Sequence, residues 1–314
     1  MRLLIDMKYV PYSKIEDGLK RLEGKAYVSG STVDFFRDII KVQHRIKNRL
    51  ATMVINLSLT EAAAKIKMQK GEPLISWDCL PIQESCLKEL FIEICHIMKR
   101  QDGCDREQIQ RLVDAEGNGT LAVDTLIQKL FYHDSTYFQT LSEEVQVRDD
   151  VLLFIALHIA KPFFEVAAAV LKSAISDKLW LKHYCPVCGS GAQMAKLEKD
   201  VGKKILYCQL CGSEWRYMRV KCPFCCSEDQ KKLTFKEEEQ GPYRVDFCEQ
   251  CGRYIKTLDE RKRGHEDGEL IPAVEDLATI YLDIVAEHEG YARSWFFPPS
   301  ADELKTSEEA ETLH

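Results

Sequence analysis

The sequence predicts an α+β protein: an all-α N-terminal domain, two tandem four-cysteine modules of the rubredoxin-like or zinc-ribbon kind, and a C-terminal helix. From residue 1 to about residue 176, apolar residues recur at three- and four-residue spacing, which is typical of helices. Four C-x-x-C pairs follow among short alternating segments, and helical spacing returns after Pro272. These changes predict domains at residues 1–176, 177–270 and 271–314.

The N-terminal domain is predicted to contain at least three long helices. The first is expected to begin at Ser31, which with Asp34 resembles a capping box. Its apolar face would hold Phe36, Ile39, Ile46, Leu50 and Met53. The second would hold Leu87, Leu90, Phe91, Ile94 and Met98. The third runs from Val151 to Leu171 and is expected to kink or break at Pro162. Its charged residues favour a buried helix over a membrane span.

The pattern changes at Trp180, where cysteines, glycines and alternating apolar residues replace the helical spacing. Two strands are predicted beside cysteine pairs, one with Trp215 and Tyr217 and the other with Tyr243, Val245 and Phe247. After Pro272, one helix is expected, with a face formed by Leu277, Ile280, Tyr281, Ile284 and His288. Residues 300–314 are acidic and polar, and a frayed tail is expected there.

Eight of the 13 cysteines form the four pairs, which are Cys185/Cys188, Cys208/Cys211, Cys222/Cys225 and Cys248/Cys251. A C-x-x-C turn suits a tetrahedral metal because it projects two sulfurs from one tight turn. Short strands with few large apolar residues cannot offset chain entropy through burial alone, whereas a structural four-ligand site contributes about 10 to 16 kcal/mol. The pairs are therefore predicted to be the ligands of two metal ions.

Several features of these sites stay open at the level of sequence. Four thiolates suit both Zn²⁺ and a rubredoxin-like iron, and both sequential and crossed combinations of the pairs fit the same spacing. Cys226, next to Cys225, is either an alternative ligand or a free thiol. The free thiol is the preferred interpretation, because the side chains of adjacent residues rarely point the same way. His183 is the nearest non-thiolate candidate.

Composition and charge narrow the class of partner. The chain has 314 residues, 45% apolar and 30% charged, as in an ordinary soluble globular protein, and a formal charge of -7. That charge argues against a protein that mainly neutralises nucleic-acid phosphates or an anionic membrane. The N-terminus lacks an apolar run of signal-peptide length, so a cytoplasmic location and no membrane insertion are expected. The partner is expected to be another protein.

A nucleic-acid-binding zinc ribbon is the main rival, because residues 181–263 contain 17 Lys and Arg against 12 Asp and Glu. Each group of four thiolates around a divalent ion carries about -2, so two groups would lower this balance of +5 to about +1. An electron carrier of the rubredoxin type is the other alternative. No nucleophile with an adjacent base, phosphate loop or pair of catalytic acids stands out, so an enzyme is not predicted.

Two further patterns are interpreted as structural. Residues 114–125 imitate a calcium loop, but Thr125 occupies the position where a bidentate Glu is needed, which favours a turn between helices. Four other cysteines lack ligand spacing and are expected to pack in the helical core as small apolar side chains; they are Cys79, Cys86, Cys95 and Cys104.

The second half of the chain strongly resembles the family of formate dehydrogenase accessory proteins known as FdhE. The shared segments are YCPVCGS from Tyr184, LYCQLCGSEWRYMRVKCPFC, FCEQCGRYIK, and VEDLATIYLDIVAEHEGYARS ending at Ser294. The pair Glu214-Trp215 and the segment from Gly290 to Ser294 are not generic ribbon sequence. The close match covers somewhat under half of the chain, because the first half resembles the family only in its helical character and around Gly71 to Leu74.

The resemblance implies a cytoplasmic, non-enzymatic protein that binds the catalytic subunit of a molybdenum- or tungsten-containing formate dehydrogenase and supports formation of the active enzyme. It also implies rubredoxin-like iron, with the eight paired cysteines as its ligands. Asp276, Asp283 and Arg293 become candidates for structural or partner contacts. Cys226 is a departure from the family pattern, and the divergent first half leaves the identity of the partner open.

Overall fold

A computed structural model describes residues 9–25, 27–52, 59–176, 178–239, 241–264 and 269–293. Its helices are α1 Tyr12–Lys20, α2 Gly30–Ala51, α3 Glu61–Lys70, α4 Glu84–Arg100, α5 Arg106–Gly117, α6 Val123–Phe131, α7 Ser135–Val145, α8 Asp149–Leu171, α9 Pro272–Ala278 and α10 Ile280–His288. Its strands are β1 Ala192–Leu197, β2 Lys204–Cys208, β3 Glu214–Tyr217, β4 Leu233–Glu237, β5 Tyr243–Cys248, β6 Arg253–Asp259 and β7 Ala292–Arg293. The α+β class predicted from the sequence is confirmed.

The chain divides into two compact units. The first comprises residues 1–59 and 75–173, and the second comprises residues 60–74 and 174–314. The second unit therefore includes α3 and the turn after it, where the Tyr184 hydroxyl donates to Gly71 O at 2.8 Å and Leu74 N donates to Pro186 O at 2.9 Å. The domain limits at residues 176 and 270 remain a prediction from sequence.

The first unit is all-helical, and α8 forms its centre. This helix buries thirteen of its residues and packs against α2, where Lys47 Nζ lies 2.6 Å from Glu165 Oε2. The helix continues through Pro162, so the predicted break was wrong. Among the described residues, one helical stretch, Asp149–Ala174, is long and apolar enough to cross a membrane by length and composition alone. Its apolar window is 67% buried, as in the core helix of a soluble protein.

Helix α2 begins at Gly30, one residue before the predicted start at Ser31. Ser29, and not Ser31, is the N-cap, because its backbone is extended and its Oγ accepts a hydrogen bond from Thr32 N at 3.1 Å. Ile39, Ile46 and Leu50 form the buried face, as expected, and Met53 lies outside the described residues. The predicted second helix corresponds to α4, in which Leu87, Leu90, Phe91 and Ile94 are buried.

The second unit is built on one sheet with the strand order β3-β2-β1-β6-β5-β4, and β7 pairs with β6. Strands β1 to β3 are antiparallel and belong to the first four-cysteine module, while β4 to β6 are antiparallel and belong to the second. The two modules join through parallel pairing of β1 with β6, in which Met194 lies opposite Lys256. The tandem modules thus share one continuous sheet.

The C-terminal helix is divided in two. Thr279 leaves the helical conformation, and its hydroxyl donates to Glu275 O at 2.8 Å, so α9 ends and α10 begins in a new phase. The predicted face was therefore wrong in part, since Ile284 is 65% exposed. Leu282 and Ala286 instead pack against the sheet, in a cluster with Val245, Phe247 and Tyr254. Residues 300–314 lie outside the described residues.

Candidate metal centres

The first candidate centre brings together Cys185, Cys188, Cys208 and Cys211, all of them buried. Their sulfurs all lie within 4.8 Å of one another, with 3.5 Å between the sulfurs of Cys185 and Cys211 and 3.4 Å between those of Cys188 and Cys208. A tetrahedral ion with Zn–S bonds of about 2.3 Å separates its sulfurs by roughly 3.8 Å. The four thiols are not joined in disulfides, and their spacing fits one tetrahedral ion.

The second candidate centre consists of Cys222, Cys225, Cys248 and Cys251. The sulfurs of Cys222 and Cys251 are 3.8 Å apart, and those of Cys225 and Cys248 are 3.7 Å apart. Cys225 and Cys251 are partly exposed, so this centre lies closer to solvent than the first. Each centre thus combines two consecutive C-x-x-C pairs, which selects the sequential combination over the crossed one.

The turns that carry the cysteines are shaped to hold negatively charged sulfur. Val187 N, Leu210 N and Phe224 N each donate to the sulfur of the cysteine two residues earlier, at 3.4 Å. Hydrogen bonds of this kind stabilise a thiolate ligand. Backbone geometry adds a second requirement, since Gly189 and Gly212 follow their cysteine pairs with φ of 80° and 67°. Glycine adopts such angles without steric cost.

Hydrogen bonds between the crowded sulfurs shift the pKa values of these thiols in opposite directions. A hydrogen bond with Cys225 raises the pKa of Cys222, whereas a hydrogen bond with Cys222 lowers the pKa of Cys248. Each proton that stays on one thiol therefore stabilises the charge on its neighbour. Four ionised sulfurs at these distances need a cation between them, and the donor set is one that Zn²⁺ and ferrous or ferric iron accept. Both groups could therefore hold a metal ion.

Cys226 and His183 lie beside the second centre but belong to neither group of four. His183 Nδ1 is 3.3 Å from Cys226 Sγ, so the histidine contacts this extra thiol instead of joining a group of ligands. Cys226 follows its cysteine pair as Gly189, Gly212 and Gly252 follow theirs, and it has the same left-handed backbone, with φ of 63°. The turn imposes this backbone angle on a residue that has a Cβ atom.

We expect the Cys226→Gly variant to be more stable than the natural chain by up to about 1 kcal/mol, because glycine relieves the left-handed strain. Denaturant unfolding measures the gain, and metal analysis should give an unchanged ratio of metal to chain. Cys104→Gly is the matched control, since Cys104 is not among the residues with positive φ and should lose stability. Loss of metal from Cys226→Gly would show instead that Cys226 is a ligand.

Asp276, Asp283 and Arg293 lie together with Lys256, a group of four charges that we call the Lys256 cluster. Lys256 Nζ lies 2.7 Å from Asp276 Oδ1 and 2.7 Å from Asp283 Oδ2, and its side chain is 1% exposed. Arg293 pairs with both carboxylates. Burial by itself would raise the pKa of Asp276, but the charges of Arg293 and Lys256 outweigh burial and hold this pKa well below its usual range.

Structural and partner contacts were both expected for Asp276, Asp283 and Arg293. Their charges pair with one another and with Lys256 inside the second unit, which favours the structural role. Tyr254 and Gln193 complete the Lys256 cluster, because the Tyr254 hydroxyl donates to Asp283 at 2.9 Å and Gln193 Nε2 donates to Asp276 at 2.7 Å. Lys256, Tyr254 and Gln193 were not predicted from the sequence. A charged residue at an inward position of β6, within RYIKTLD, is the signal that could have revealed Lys256.

The first unit contains the four cysteines that were expected to pack in the helical core and the segment that imitates a calcium loop. Cys86 and Cys95 are fully buried, as predicted, whereas Cys79 and Cys104 are partly exposed. The imitation calcium loop spans the end of α5 and the start of α6, so it is a turn between helices.

Comparisons with known proteins agree on one family. The family model for the C-terminal domain of FdhE matches residues 220–298. The FdhE homolog of Aquifex aeolicus (strain VF5) is 32% identical over 279 residues, covering 87% of this chain and 89% of that protein. Protein FdhE of Escherichia coli O9:H4 (strain HS) is 27% identical over 267 residues, covering 84% of this chain and 81% of that protein.

A solved structure has the same fold. The crystal structure of the FdhE protein from Pseudomonas aeruginosa superposes with a TM-score of 0.60 and covers 90% of this chain and 93% of that chain. The two sequences are 18% identical, so this likeness concerns the fold alone.

Proposed function

The chain belongs to the FdhE family, and from this membership we propose that it is a non-catalytic accessory factor of formate dehydrogenase maturation. In this proposal the chain acts in the cytoplasm and binds the catalytic subunit of a molybdenum- or tungsten-containing formate dehydrogenase, which supports formation of the active enzyme. The family relationship extends over 87% of the chain and includes the helical half, whose sequence alone resembled the family only weakly.

The proposal assigns one metal ion to each group of four cysteines. Cys185, Cys188, Cys208 and Cys211 hold the first ion, and Cys222, Cys225, Cys248 and Cys251 hold the second. Iron of the rubredoxin kind and zinc both accept this donor set, and either ion would cross-link the turns of the sheet. Metal analysis of protein purified from its native cell distinguishes them.

The observation that carries a binding role over a catalytic one is the composition of the two centres. Each supplies four sulfurs at tetrahedral spacing, which fills the coordination of the ion. A catalytic metal site keeps a position open for water or substrate. A closed site contributes rigidity, and a rigid sheet is a suitable platform for a protein partner.

Affinity measurements with a purified formate dehydrogenase catalytic subunit test the proposal. The natural chain is expected to bind the subunit, and the double variant Cys222→Ser with Cys248→Ser is expected to lose the metal of the second centre and, with it, binding of the subunit. Cys104→Ser is the control, because Cys104 lies outside both groups and should leave metal content and binding unchanged. Failure of the natural, metal-loaded chain to bind the subunit would contradict the proposal.

A second candidate function is favoured by the partial exposure of Cys225 and Cys251. An iron centre near solvent is suited to electron transfer, as in a rubredoxin-type carrier. Such a carrier would show reversible one-electron cycling and would pass electrons to a dehydrogenase within its turnover time. Absence of electron transfer from an iron-loaded chain would remove this alternative.

A further inference from the structure

A cavity of about 220 Å³ lies beside the second centre, between the turn that carries Cys222 and one face of β4, β5 and β6. We call this cavity the β4 groove and define it by Arg219, Phe224, Phe235, Arg244, Asp246 and Arg253. Phe235 lies directly opposite Asp246 in the pairing of β4 with β5, so the two side chains share one face of the sheet.

Buried charge in the groove is not balanced. The side chains of Lys204 and Arg244 are 3% and 10% exposed, and both pair with Asp246, at 3.1 Å and 2.9 Å. Two cations thus share one carboxylate. Arg244 Nε is buried, and despite its closeness to Asp246 it makes no hydrogen bond with any described residue. Burial of an unmatched cation is costly, and a bound anion would remove this cost.

Further cations line the same cavity. Arg219 and Arg253 reach the groove and form no ion pair with any residue in the described ranges. They add two positive charges to the one left over at Lys204, Arg244 and Asp246. A divalent ion in four thiolates carries about -2, so a loaded second centre would not cancel this excess. The charge of the groove therefore favours an anionic ligand.

The groove also offers an apolar surface and an open strand. Phe235 is 54% exposed, and the guanidinium carbon of Arg244 lies 4.6 Å from the centre of its ring. Strand β4 is at the edge of the sheet, and four of its five residues are exposed. An edge strand can pair with an extended segment of another chain, which gains backbone hydrogen bonds while alternate side chains enter pockets.

We propose that the β4 groove docks an extended acidic segment of a partner protein. The segment runs along β4, places a carboxylate against Arg244 and Arg219, and packs an apolar side chain against Phe235. This inference rests on the proposed function, in which the partner is the formate dehydrogenase catalytic subunit. Nucleic acid is disfavoured, because single-stranded nucleic acid is held by several aromatic side chains and Phe235 is the one exposed aromatic in the groove lining.

Fluorescence anisotropy with synthetic probes tests the docking site without the enzyme. The probe is a fluorescein-labelled extended peptide of alternating Val and Glu, compared with a Val and Lys peptide and with a thymidine oligonucleotide. The natural chain is expected to bind the acidic peptide in preference to both others. Arg219→Glu and Phe235→Ser should each weaken this binding by about tenfold or more. Arg219→Glu should also improve binding of the basic peptide.

Matched controls separate the groove from general effects of charge and surface. Arg216→Glu makes the same change of charge at an exposed position of β3 outside the groove. Tyr132→Ser removes an aromatic side chain that is 60% exposed in the first unit. Both controls should bind the acidic peptide within about twofold of the natural chain. All four variants should keep the metal content and unfolding midpoint of the natural chain, since their positions are exposed.

The same variants are then measured against the purified formate dehydrogenase catalytic subunit. If the acidic peptide requires the groove but the natural chain does not bind the subunit, the docking site stands and the proposed function fails. If the subunit binds all variants alike, the docking site is overturned while the proposed function stands. Equal binding of the acidic peptide by groove and control variants, or tighter groove-dependent binding of the oligonucleotide, also overturns the proposal.

Discussion

The Cys188→Ser variant is expected to lose the metal of the first centre and to unfold the part of the sheet formed by β1, β2 and β3. A structural four-thiolate site contributes about 10 to 16 kcal/mol, which equals or exceeds the whole stability of an ordinary domain. Serine places a hard, protonated hydroxyl where a thiolate is needed. Cys188 is 4% exposed, so this hydroxyl would also be buried. Metal analysis, limited proteolysis and circular dichroism measure the loss.

Cys104→Ser is the control for the chemical change itself, because Cys104 belongs to neither group of four. Its metal content and unfolding midpoint should match those of the natural chain. The second centre provides a further comparison, since Cys188→Ser should retain one metal ion if the centres load independently. A Cys188→Ser chain with full metal content and an unchanged unfolding midpoint would refute the assignment of metal to the first centre.

Local features of the centres were predictable from the sequence. The spacing of each C-x-x-C pair fixes two sulfurs on one turn, and Gly189 or Gly212 meets the backbone requirement of the same turn. These relations involve only a few consecutive residues. The helical first unit was predictable for a similar reason, because a buried face such as that of Ile39, Ile46 and Leu50 repeats with the helical period.

Features that depend on distant parts of the chain were not predictable in the same way. Parallel pairing of β1 with β6 joins the two modules into one sheet, and no local pattern specifies which strands become neighbours. The break at Thr279 changes the phase of the last helix, so Leu282 is buried where Ile284 was expected. The Lys256 cluster unites residues from β6, α9, α10 and β7. Which of these charges pair with one another depends on how the four elements pack, and no local sequence pattern specifies that packing.

Asp276→Asn is expected to destabilise the second unit by about 3 to 5 kcal/mol at neutral pH, because it leaves Lys256 and Arg293 to share the single carboxylate of Asp283. The pKa of Asp276 in the folded chain lies well below its usual range, since the charges of Arg293 and Lys256 outweigh burial. Its stabilising effect is therefore fully present above the unfolded pKa of about 4 and is lost as pH falls through the folded pKa. Urea unfolding at neutral and acidic pH measures both effects.

The difference in stability between the natural chain and Asp276→Asn should consequently shrink as the pH falls below about 4. Glu289→Gln, which breaks the exposed pair of Glu289 with Lys236, is the control and should leave the unfolding midpoint unchanged within error. Adding Lys256→Met to Asp276→Asn removes the excess cation and leaves Arg293 with Asp283, so the double variant should recover part of the loss. A pH-independent difference without recovery would mean that Asp276 acts through packing and not through its charge.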